Sequence, residues 1–395
     1  MDMIDVDQLR AQTPGTKNVV HLNNAGAALM PQPVIDAIHR YLDHEISYGG
    51  YETFRAFGNE LDGVYGTLAE LINAESSEIA ITDSATRAWD MALYSMPLGQ
   101  GDRILTTTTE YVSNWAAYLH LRDTKGIAVD VVPNAPTGEI DVEALERMID
   151  GSVKLITLNH VPTNSGVVNP AADVGRVARE HGIPYLLDAC QSVGQLPIDV
   201  DEIGCDMLSA TSRKFLRGPR GEGFLFVRSD FIPRLEPVFV ELHNAPIVLP
   251  DRYELRNDAK RFETWEKNHA NVLGMGVAAE YAMGIGIDAI WERIQMLASM
   301  ARELLDDIDG VSVRDLGAVK GGIVTFEVEG RQVIEVRELL SERSINVSIS
   351  TPLSAPVDMH ERDIGGLVRA SFHAYNTEEE VEALVEAIGV IVQAI

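Results

Sequence analysis

Short apolar runs alternate with amphipathic segments along the first two thirds of the chain. Strands are predicted where the apolar runs lie, at 78–82, 102–107, 127–132, 153–158 and 185–188. Helices are predicted where apolar residues recur at helical spacing, at 31–44, 59–72, 141–148 and 171–181. Strands that alternate with helices of about 10–15 residues indicate a largely parallel sheet with helices on both faces.

The pattern changes after residue 227 and predicts a second, smaller α+β region. Residues 49–51 are interpreted as a flexible link and 241–260 as an irregular polar stretch, whereas 287–308 is helical. Strands are predicted at 311–313, 322–328 and 345–350, with helices at 331–343 and 377–393. We therefore divide the chain into an N-terminal arm of the small domain (1–20), a large domain (21–265), and a long linking helix with the small C-terminal domain (266–395).

The amino-acid composition limits the classes of partner that the protein is expected to bind. The net charge of −28 over 395 residues opposes binding to nucleic acid and to anionic membranes. Cys190 and Cys205 are the only cysteines, so the sequence contains neither a disulfide framework nor zinc-ligand spacing, and no metal is expected. With no basic start before an apolar run and no apolar run of membrane-spanning length, we expect a cytoplasmic protein.

Polar clusters follow several of the predicted strands. They lie at 83–90, 110–114, 159–166 and 188–192. Ligands of parallel α/β sheets bind at the carboxyl ends of the strands, so these clusters predict one shared site. The cluster at 83–90 joins a strand to a helix N-terminus, which suits a phosphate; a Ser or Asp helix cap without a ligand is the alternative.

Asp188 and Lys214 are the residues most indicative of chemistry. Asp188 ends an apolar run, and Lys214 follows 26 residues later within Ser209-Ala210-Thr211-Ser212-Arg213-Lys214. Pyridoxal 5′-phosphate (PLP) needs a lysine amine for its Schiff base and a carboxylate that keeps its pyridine nitrogen protonated. The pair therefore predicts a PLP site, the alternative being a structural aspartate that caps a loop.

With these motifs in place, residues 22–384 resemble the class V aminotransferase family of PLP enzymes. The resemblance is carried by Asp188-Ala189-Cys190-Gln191, Thr211-Ser212-Arg213-Lys214, Arg369-Ala370-Ser371 and Tyr375-Asn376-Thr377. It implies the α/β fold of type I PLP enzymes: a mostly parallel seven-stranded sheet with helices on both faces, plus the smaller α+β C-terminal domain. It also implies a homodimer that acts on a small amino acid.

The resemblance implies a role for individual residues. Lys214 would form the Schiff base and move the proton, and Asp188 would pair with the pyridine nitrogen. The other implied cofactor contacts are Ala85, Thr86, Thr211 and Arg213 at the phosphate, Tyr111 on the ring face, and Gln191 with Thr163 or Asn164 near the ring hydroxyl. Arg369 would bind the substrate carboxylate, with Asn24 and Tyr51 as further substrate-binding candidates.

One departure from the family pattern bears on the reaction. Cysteine desulfurases need a nucleophilic cysteine shortly before the carboxylate-binding arginine, and residues 348–357 contain none. Neither Cys190 nor Cys205 is expected where it could accept sulfur, so the sequence argues against a desulfurase.

We instead expect a C–S lyase that removes the Cα proton of an S-substituted cysteine and cleaves it by β-elimination. An aminotransferase is the alternative. An epimerase comes third, with Glu52, His243 or His373 as its second acid. A non-catalytic binding module is disfavoured because Lys214 and Asp188 are both present.

Overall fold

A seven-stranded sheet, a four-stranded sheet, two pairs of short strands and the helices around them make up the fold, described by a computed structural model for residues 4–394. The strands are β1 (Val20–His21), β2 (Ile79–Thr82), β3 (Arg103–Thr107), β4 (Ala128–Val132), β5 (Val153–Asn159), β6 (Tyr185–Asp188), β7 (Met207–Thr211), β8 (Gly223–Val227), β9 (Ile247–Leu249), β10 (Arg252–Tyr253), β11 (Val311–Val313), β12 (Ile323–Val328), β13 (Ile345–Asn346), β14 (Ser348–Ser350) and β15 (Leu367–Ser371). The helices are α1 (Val6–Ala11), α2 (Asn24–Ala27), α3 (Gln32–Tyr48), α4 (Gly50–Ala56), α5 (Gly58–Ile72), α6 (Ala85–Ser95), α7 (Val112–Lys125), α8 (Val142–Met148), α9 (Ala171–His181), α10 (Val200–Ile203), α11 (His269–Ile285), α12 (Ile287–Asp306), α13 (Val333–Ser341), α14 (Pro356–Glu361) and α15 (Glu378–Gln393).

The large sheet has seven strands in the order β2-β8-β7-β6-β5-β3-β4. Strands β3 to β7 are parallel, and β8 runs antiparallel to both of its neighbours, β2 and β7. The expected fold class, a mostly parallel seven-stranded sheet with flanking helices, is confirmed. Because β5, β6 and β7 are parallel neighbours, the polar residues after them are brought to one edge of the sheet.

Alternate residues of the central strands pack into cores on the two faces of the large sheet. In β8, Phe224 and Phe226 join the core against α5 and α11, whereas Leu225 and Val227 join the core against α6 and α7. Side chains point to opposite faces in turn along a strand, so a strand buried on both faces is apolar throughout. This explains why the central strands appear as continuous apolar runs in the sequence.

The second sheet is antiparallel, in the order β11-β12-β15-β14, and packs against α12 and α15. Strand β1 pairs in parallel with β13, so the N-terminal segment contacts the C-terminal region. Strand β15 carries Arg369, and Ser371 at its end accepts a hydrogen bond from the Ala25 amide at 2.9 Å. The C-terminal region therefore contributes to the same side of the molecule as the strand ends of the large sheet.

Two local predictions were wrong. The expected link at 49–51 is a sharp turn at Gly49 (φ 95°) followed directly by helix α4. The expected irregular stretch contains the exposed hairpin of β9 and β10. The helix expected at 287–308 is confirmed as α12, which meets α11 at 79° across Gly286 (φ 97°). At Gly49 and at Gly286 a glycine with positive φ redirects the chain between two helices.

None of the individual helices within 4–394 is long and apolar enough to cross a membrane. In the same part of the chain, the pair α11 and α12 would pass that test together, but the pair is bent by 79°.

Gly175 allows α9 to pack against α10, which gives a stability prediction. A Cβ atom at this position would lie 1.8 Å from the carbonyl oxygen of Ile203. Gly175→Ala should therefore destabilise the fold by roughly 1–3 kcal/mol, because backbone must move to relieve the overlap. Denaturant unfolding measures the loss. Gly284→Ala in α11 is the matched control, since a Cβ there meets no atom within 4 Å; equal stability of the two variants would contradict the prediction.

Candidate active site

A cavity opens at the carboxyl ends of β6 and β7. It is lined by Asp83, Ser84, Ala85, Thr86, Tyr111, Asn159, Thr163, Asp188, Cys190, Gln191, Thr211, Arg213, Lys214, Gly221 and Glu222. The predicted cofactor residues brought together here are Ala85, Thr86, Tyr111, Thr163, Asp188, Gln191, Thr211, Arg213 and Lys214. These residues belong to loops that are far apart in the sequence, and the strand order of the sheet assembles them.

Asp188 ends β6 and is held by two hydrogen-bond donors. Its Oδ1 accepts from the Cys190 amide at 2.9 Å, and its Oδ2 accepts from Asn114 Nδ2 at 2.9 Å. Burial raises the pKa of the Asp188 carboxyl, while the two donors and the nearby Lys214 lower it. A buried carboxylate supported in this way can hold a proton on a pyridine nitrogen.

Asn114 joins Asp188 to a second buried carboxyl group, that of Glu110. Asn114 Nδ2 also donates to Glu110 Oε1 at 2.9 Å, and Glu110 Oε2 accepts from Thr106 Oγ1 at 2.8 Å. Burial and the charge of Asp188 raise the pKa of Glu110 to about 7. No role for Glu110 or Asn114 was predicted from the sequence. Their four-residue spacing is visible in the sequence, but their proximity to β6 is not.

Lys214 follows β7 and is 9% exposed, with its side chain lining the cavity. Burial lowers the pKa of its amine; Arg213 and Arg369 lower it further, while Cys190 and Asp188 raise it. A lysine whose pKa is lowered carries a larger neutral fraction near pH 7. The neutral amine is the form that bonds to an aldehyde and accepts a proton.

Cys190 lies in the same cavity, which it lines together with Lys214. Cys205 is fully buried and lies outside the cavity lining. Burial raises the pKa of the Cys190 thiol, whereas Lys214 and Arg213 lower it. The protonation of this thiol therefore depends on that of Lys214.

The N-terminus of α6 forms one end of the cavity and has the shape of a phosphate cup. Ser84 caps the helix by accepting a hydrogen bond from the Arg87 amide at 3.1 Å. Gly223 packs so closely that a Cβ there would lie 2.8 Å from the Ala85 amide nitrogen. This close backbone approach, with Thr211 and Arg213 also lining the cavity, fits an anion that binds helix amides and the helix dipole.

Gln191 and Tyr111 line the cavity beyond the phosphate cup. Gln191 Nε2 donates to the Ala25 carbonyl at 3.2 Å, while its Oε1 is buried without a partner among residues 4–394. A buried acceptor without a partner fits a ligand hydroxyl group, and the Tyr111 ring provides an aromatic surface. Together with Asp188, Lys214 and the cup, these residues fit the ring, aldehyde and phosphate of PLP.

Arg369 lies in β15 directly behind the cavity lining. It is buried, and its guanidinium donates to Thr163 Oγ1 and to the Thr163 carbonyl. Burial lowers the pKa of Arg369 to about 10, and its Nε atom has no partner within the described residues. Asn164 also lies outside the cavity lining, where its Nδ2 donates to Asp358 Oδ2 at 2.6 Å. Thr163, rather than Asn164, is therefore the member of this pair that faces the cavity.

Asn24 and Tyr51 are not brought to the cavity lining. Asn24 is fully buried; its Nδ2 donates to the Ser371 carbonyl at 2.7 Å, and its Oδ1 accepts from the Tyr375 hydroxyl at 2.5 Å. Tyr51 is 71% exposed and lines a second, larger cavity that contacts the first one at Asp83 and Glu222. Asn24 thus braces the region of β1 and β15, and Tyr51 lies on an open surface.

The parallel sheet and the lysine–aspartate cavity at its edge define a PLP enzyme of fold type I. A profile of the family described as "Aminotransferase class-V" matches residues 20–384. The chain belongs to this family, and PLP is its cofactor. The resemblance identified from the sequence motifs is thereby confirmed.

Individual relatives cover almost the whole chain. The chain is 28% identical over 396 residues to a protein from Pyrococcus abyssi named "Probable cysteine desulfurase", with 98% of each sequence covered. The apo structure of a cysteine desulfurase from Thermococcus onnurineus NA1 is 26% identical, with a TM-score of 0.92 and coverage of 100% and 99% of the two chains. The cystine C–S lyase C-DES, solved with cysteine persulfide, shares the fold, with 23% identity, a TM-score of 0.87 and coverage of 96% and 99%.

These comparisons overturn one prediction. Because residues 348–357 contain no cysteine, the sequence predicted that the protein is not a cysteine desulfurase. The relatives that match over the full length are named cysteine desulfurases, so the rejection was wrong. A missing residue in one segment is weaker evidence than similarity along the whole chain, particularly since Cys190 lies in the cavity.

The bridge through Asn114 gives a prediction on cofactor binding. Asn114→Ala removes a donor from Asp188, which raises the pKa of that carboxyl and weakens its hold on a protonated ring nitrogen. PLP affinity should fall roughly tenfold or more, as measured by absorbance titration, since a hydrogen bond to a charged group contributes about 1.5–3 kcal/mol. Ser113→Ala, one position earlier on α7, is the matched control and should leave the affinity unchanged. Unchanged affinity in Asn114→Ala would contradict the bridge.

Proposed function

We propose that this enzyme cleaves the C–S bond of an S-substituted cysteine by β-elimination. The observation that carries the proposal is the placement of Lys214, a buried amine with a lowered pKa, near the buried guanidinium of Arg369. An amino acid whose carboxylate pairs with Arg369 would present its Cα to Lys214. The names of the relatives point to cysteine derivatives as the substrate class.

The residues of the chain can carry out each proton movement that elimination requires. Bound PLP supplies an electron sink for the pair that remains when a Cα proton is removed. Lys214 takes the Cα proton, and Asp188 keeps the ring nitrogen protonated. The ring of Tyr111 lines the cavity and provides an aromatic surface there. The Cβ–S bond then breaks as a Cα–Cβ double bond forms, and Lys214 returns its proton to the departing sulfur. The released enamine reacts with water to give pyruvate and ammonia, so no protein nucleophile is needed.

Epimerisation is the least supported alternative, because it calls for a second acid on the opposite side of the substrate. None of Glu52, His243 and His373 lines the cavity. His373 is fully buried, its pKa is lowered to about 3 by burial, and its Nε2 is bound to the Phe215 carbonyl. His243 is paired with Glu263 at 3.1 Å, in the second cavity.

The products made from cysteine derivatives test the proposal. S-methyl-L-cysteine and L-cystine should each yield pyruvate and ammonia in equal amounts, and Lys214→Ala should yield neither. Arg369→Lys should raise KM roughly 10–100-fold through loss of bidentate carboxylate pairing, whereas the surface variant Arg55→Lys should not. Alanine released from L-cysteine with transfer of sulfur would replace elimination by desulfuration. Accumulation of the pyridoxamine form without pyruvate would favour the aminotransferase.

We also propose that the enzyme is a homodimer that buries the open side of the second cavity. Exposed apolar side chains lie at or near this cavity: Leu42 (41% exposed), Ile46 (83%), Tyr51 (71%) and Trp265 (43%). Apolar groups concentrated on one face of a protein surface are typical of subunit interfaces. A second copy of the chain is the partner that the family resemblance implies.

Light scattering coupled to gel filtration tests the dimer. Ile46→Glu should shift the mass from that of two chains towards one, because a charged side chain would be buried at the interface. Ile334→Glu in α13, where the side chain is 50% exposed, is the matched control and should leave the mass unchanged. A single-chain mass for the unmodified protein would rule out the homodimer.

A further inference from the structure

Glu222 is a buried carboxyl group at the phosphate cup for which the family motifs suggested no role. It is 3% exposed and lines both the cofactor cavity and the second cavity. Its carboxyl group makes no ion pair and no hydrogen bond with any residue in 4–394, although buried carboxylates are normally paired. An unpaired, buried carboxyl group that lines a ligand cavity is expected to form a hydrogen bond or an ion pair with the ligand.

The backbone fixes Glu222 at this position. Its carbonyl oxygen accepts hydrogen bonds from the Ser212 amide at 3.0 Å and from Thr211 Oγ1 at 3.4 Å. The next residue, Gly223, packs against the first amide of α6 without room for a Cβ. The backbone of Glu222 is thus held between the two elements that form the phosphate cup.

The charges around Glu222 do not neutralise it. The ionisable groups that act on its carboxyl group are Lys267 before α11 and Asp83 before α6. Arg87 in α6 and Arg213 and Lys214 after β7 also line the two cavities that Glu222 borders. Lys267 is already paired with the buried carboxylate of Glu263. Burial raises the pKa of Glu222 to about 8, Lys267 lowers it and Asp83 raises it. Near pH 7 the carboxyl group therefore carries a proton.

We propose that Glu222 positions the cofactor by donating a hydrogen bond from its protonated carboxyl group to the phosphate of PLP. A carboxylate at this place would repel the phosphate dianion, whereas a carboxylic acid is a donor. Release of that proton converts a donor into a repelling charge. Retention of the cofactor should therefore weaken as the pH rises. This inference rests on PLP binding in the cavity and is independent of which bond the enzyme cleaves.

The sign of the pH effect follows from proton linkage. A phosphate bound beside the acid favours the protonated form and moves the Glu222 pKa further upward. Between the pKa of Glu222 in the free site and this raised pKa, binding of the cofactor requires uptake of one proton, so affinity falls by up to about tenfold per pH unit. Below the pKa of the free site, affinity does not depend on this group.

Phosphorus NMR of the intact holoenzyme tests the contact directly. The ³¹P resonance of bound PLP should shift with an inflection at or above pH 8 in the wild type, and Glu222→Gln should abolish that inflection because an amide donates at every pH. Glu266→Gln, which alters an exposed carboxyl group at the second cavity, is the matched control and should titrate like the wild type. A resonance that does not titrate in the wild type, or that titrates alike in Glu222→Gln, would overturn the proposal.

Cofactor release gives a second readout that does not depend on activity. After dilution, the wild type should lose PLP about tenfold faster at pH 9.5 than at pH 7.5, whereas Glu222→Gln should release it at one slow rate. Glu222→Ala removes the donor as well as the charge and should release PLP faster than the glutamine variant at every pH. Equal pH dependence in the wild type and in both variants would show that Glu222 does not contact the phosphate.

Discussion

The burial of Asp188 and Lys214 at one edge of the sheet is the constraint on which the site depends. Moving such groups out of water costs several kcal/mol each unless nearby donors and charges compensate. The compensation comes from the Cys190 amide and from Asn114, which in turn requires α7 to lie beside β6. The parallel pairing of β5, β6 and β7 sets these distances, so the electrostatics of the site depend on the strand register.

Much of the fold was predictable because its core obeys simple periodicities. The central strands are buried on both faces and therefore appear as uninterrupted apolar runs, and α3 and α5 show apolar residues at helical spacing. The wrong predictions concern segments whose conformation depends on a single residue or that are exposed to solvent. Gly49 was interpreted as part of a flexible link, whereas its positive φ fixes a sharp turn between two helices. The hairpin of β9 and β10 is exposed, so no burial pattern marked it.

The residues of the candidate site likewise fall into those that could be predicted from the sequence and those that could not. Residues within contiguous motifs, such as Lys214 and Gln191, line the cavity because a local turn after a strand delivers them there. Residues placed by contacts between distant segments could not be predicted. Asn164 faces Asp358, 194 positions away, and Asn24 bonds to Ser371 across 347 positions. Glu222 escaped notice because its sequence neighbours are ordinary turn residues, and only the packing of Gly223 against α6 shows what it faces.

The protonation of Lys214 and that of Cys190 depend on each other. Burial lowers the pKa of the Lys214 amine and raises the pKa of the Cys190 thiol, so burial favours the neutral form of both groups. A positive charge on Lys214 lowers the pKa of the thiol, and a thiolate at Cys190 raises the pKa of the amine. In the proposed elimination Lys214 alternates between its neutral and its charged form, so the thiol beside it responds to each proton transfer. The electrostatics of the cavity are thereby linked to the proposed reaction.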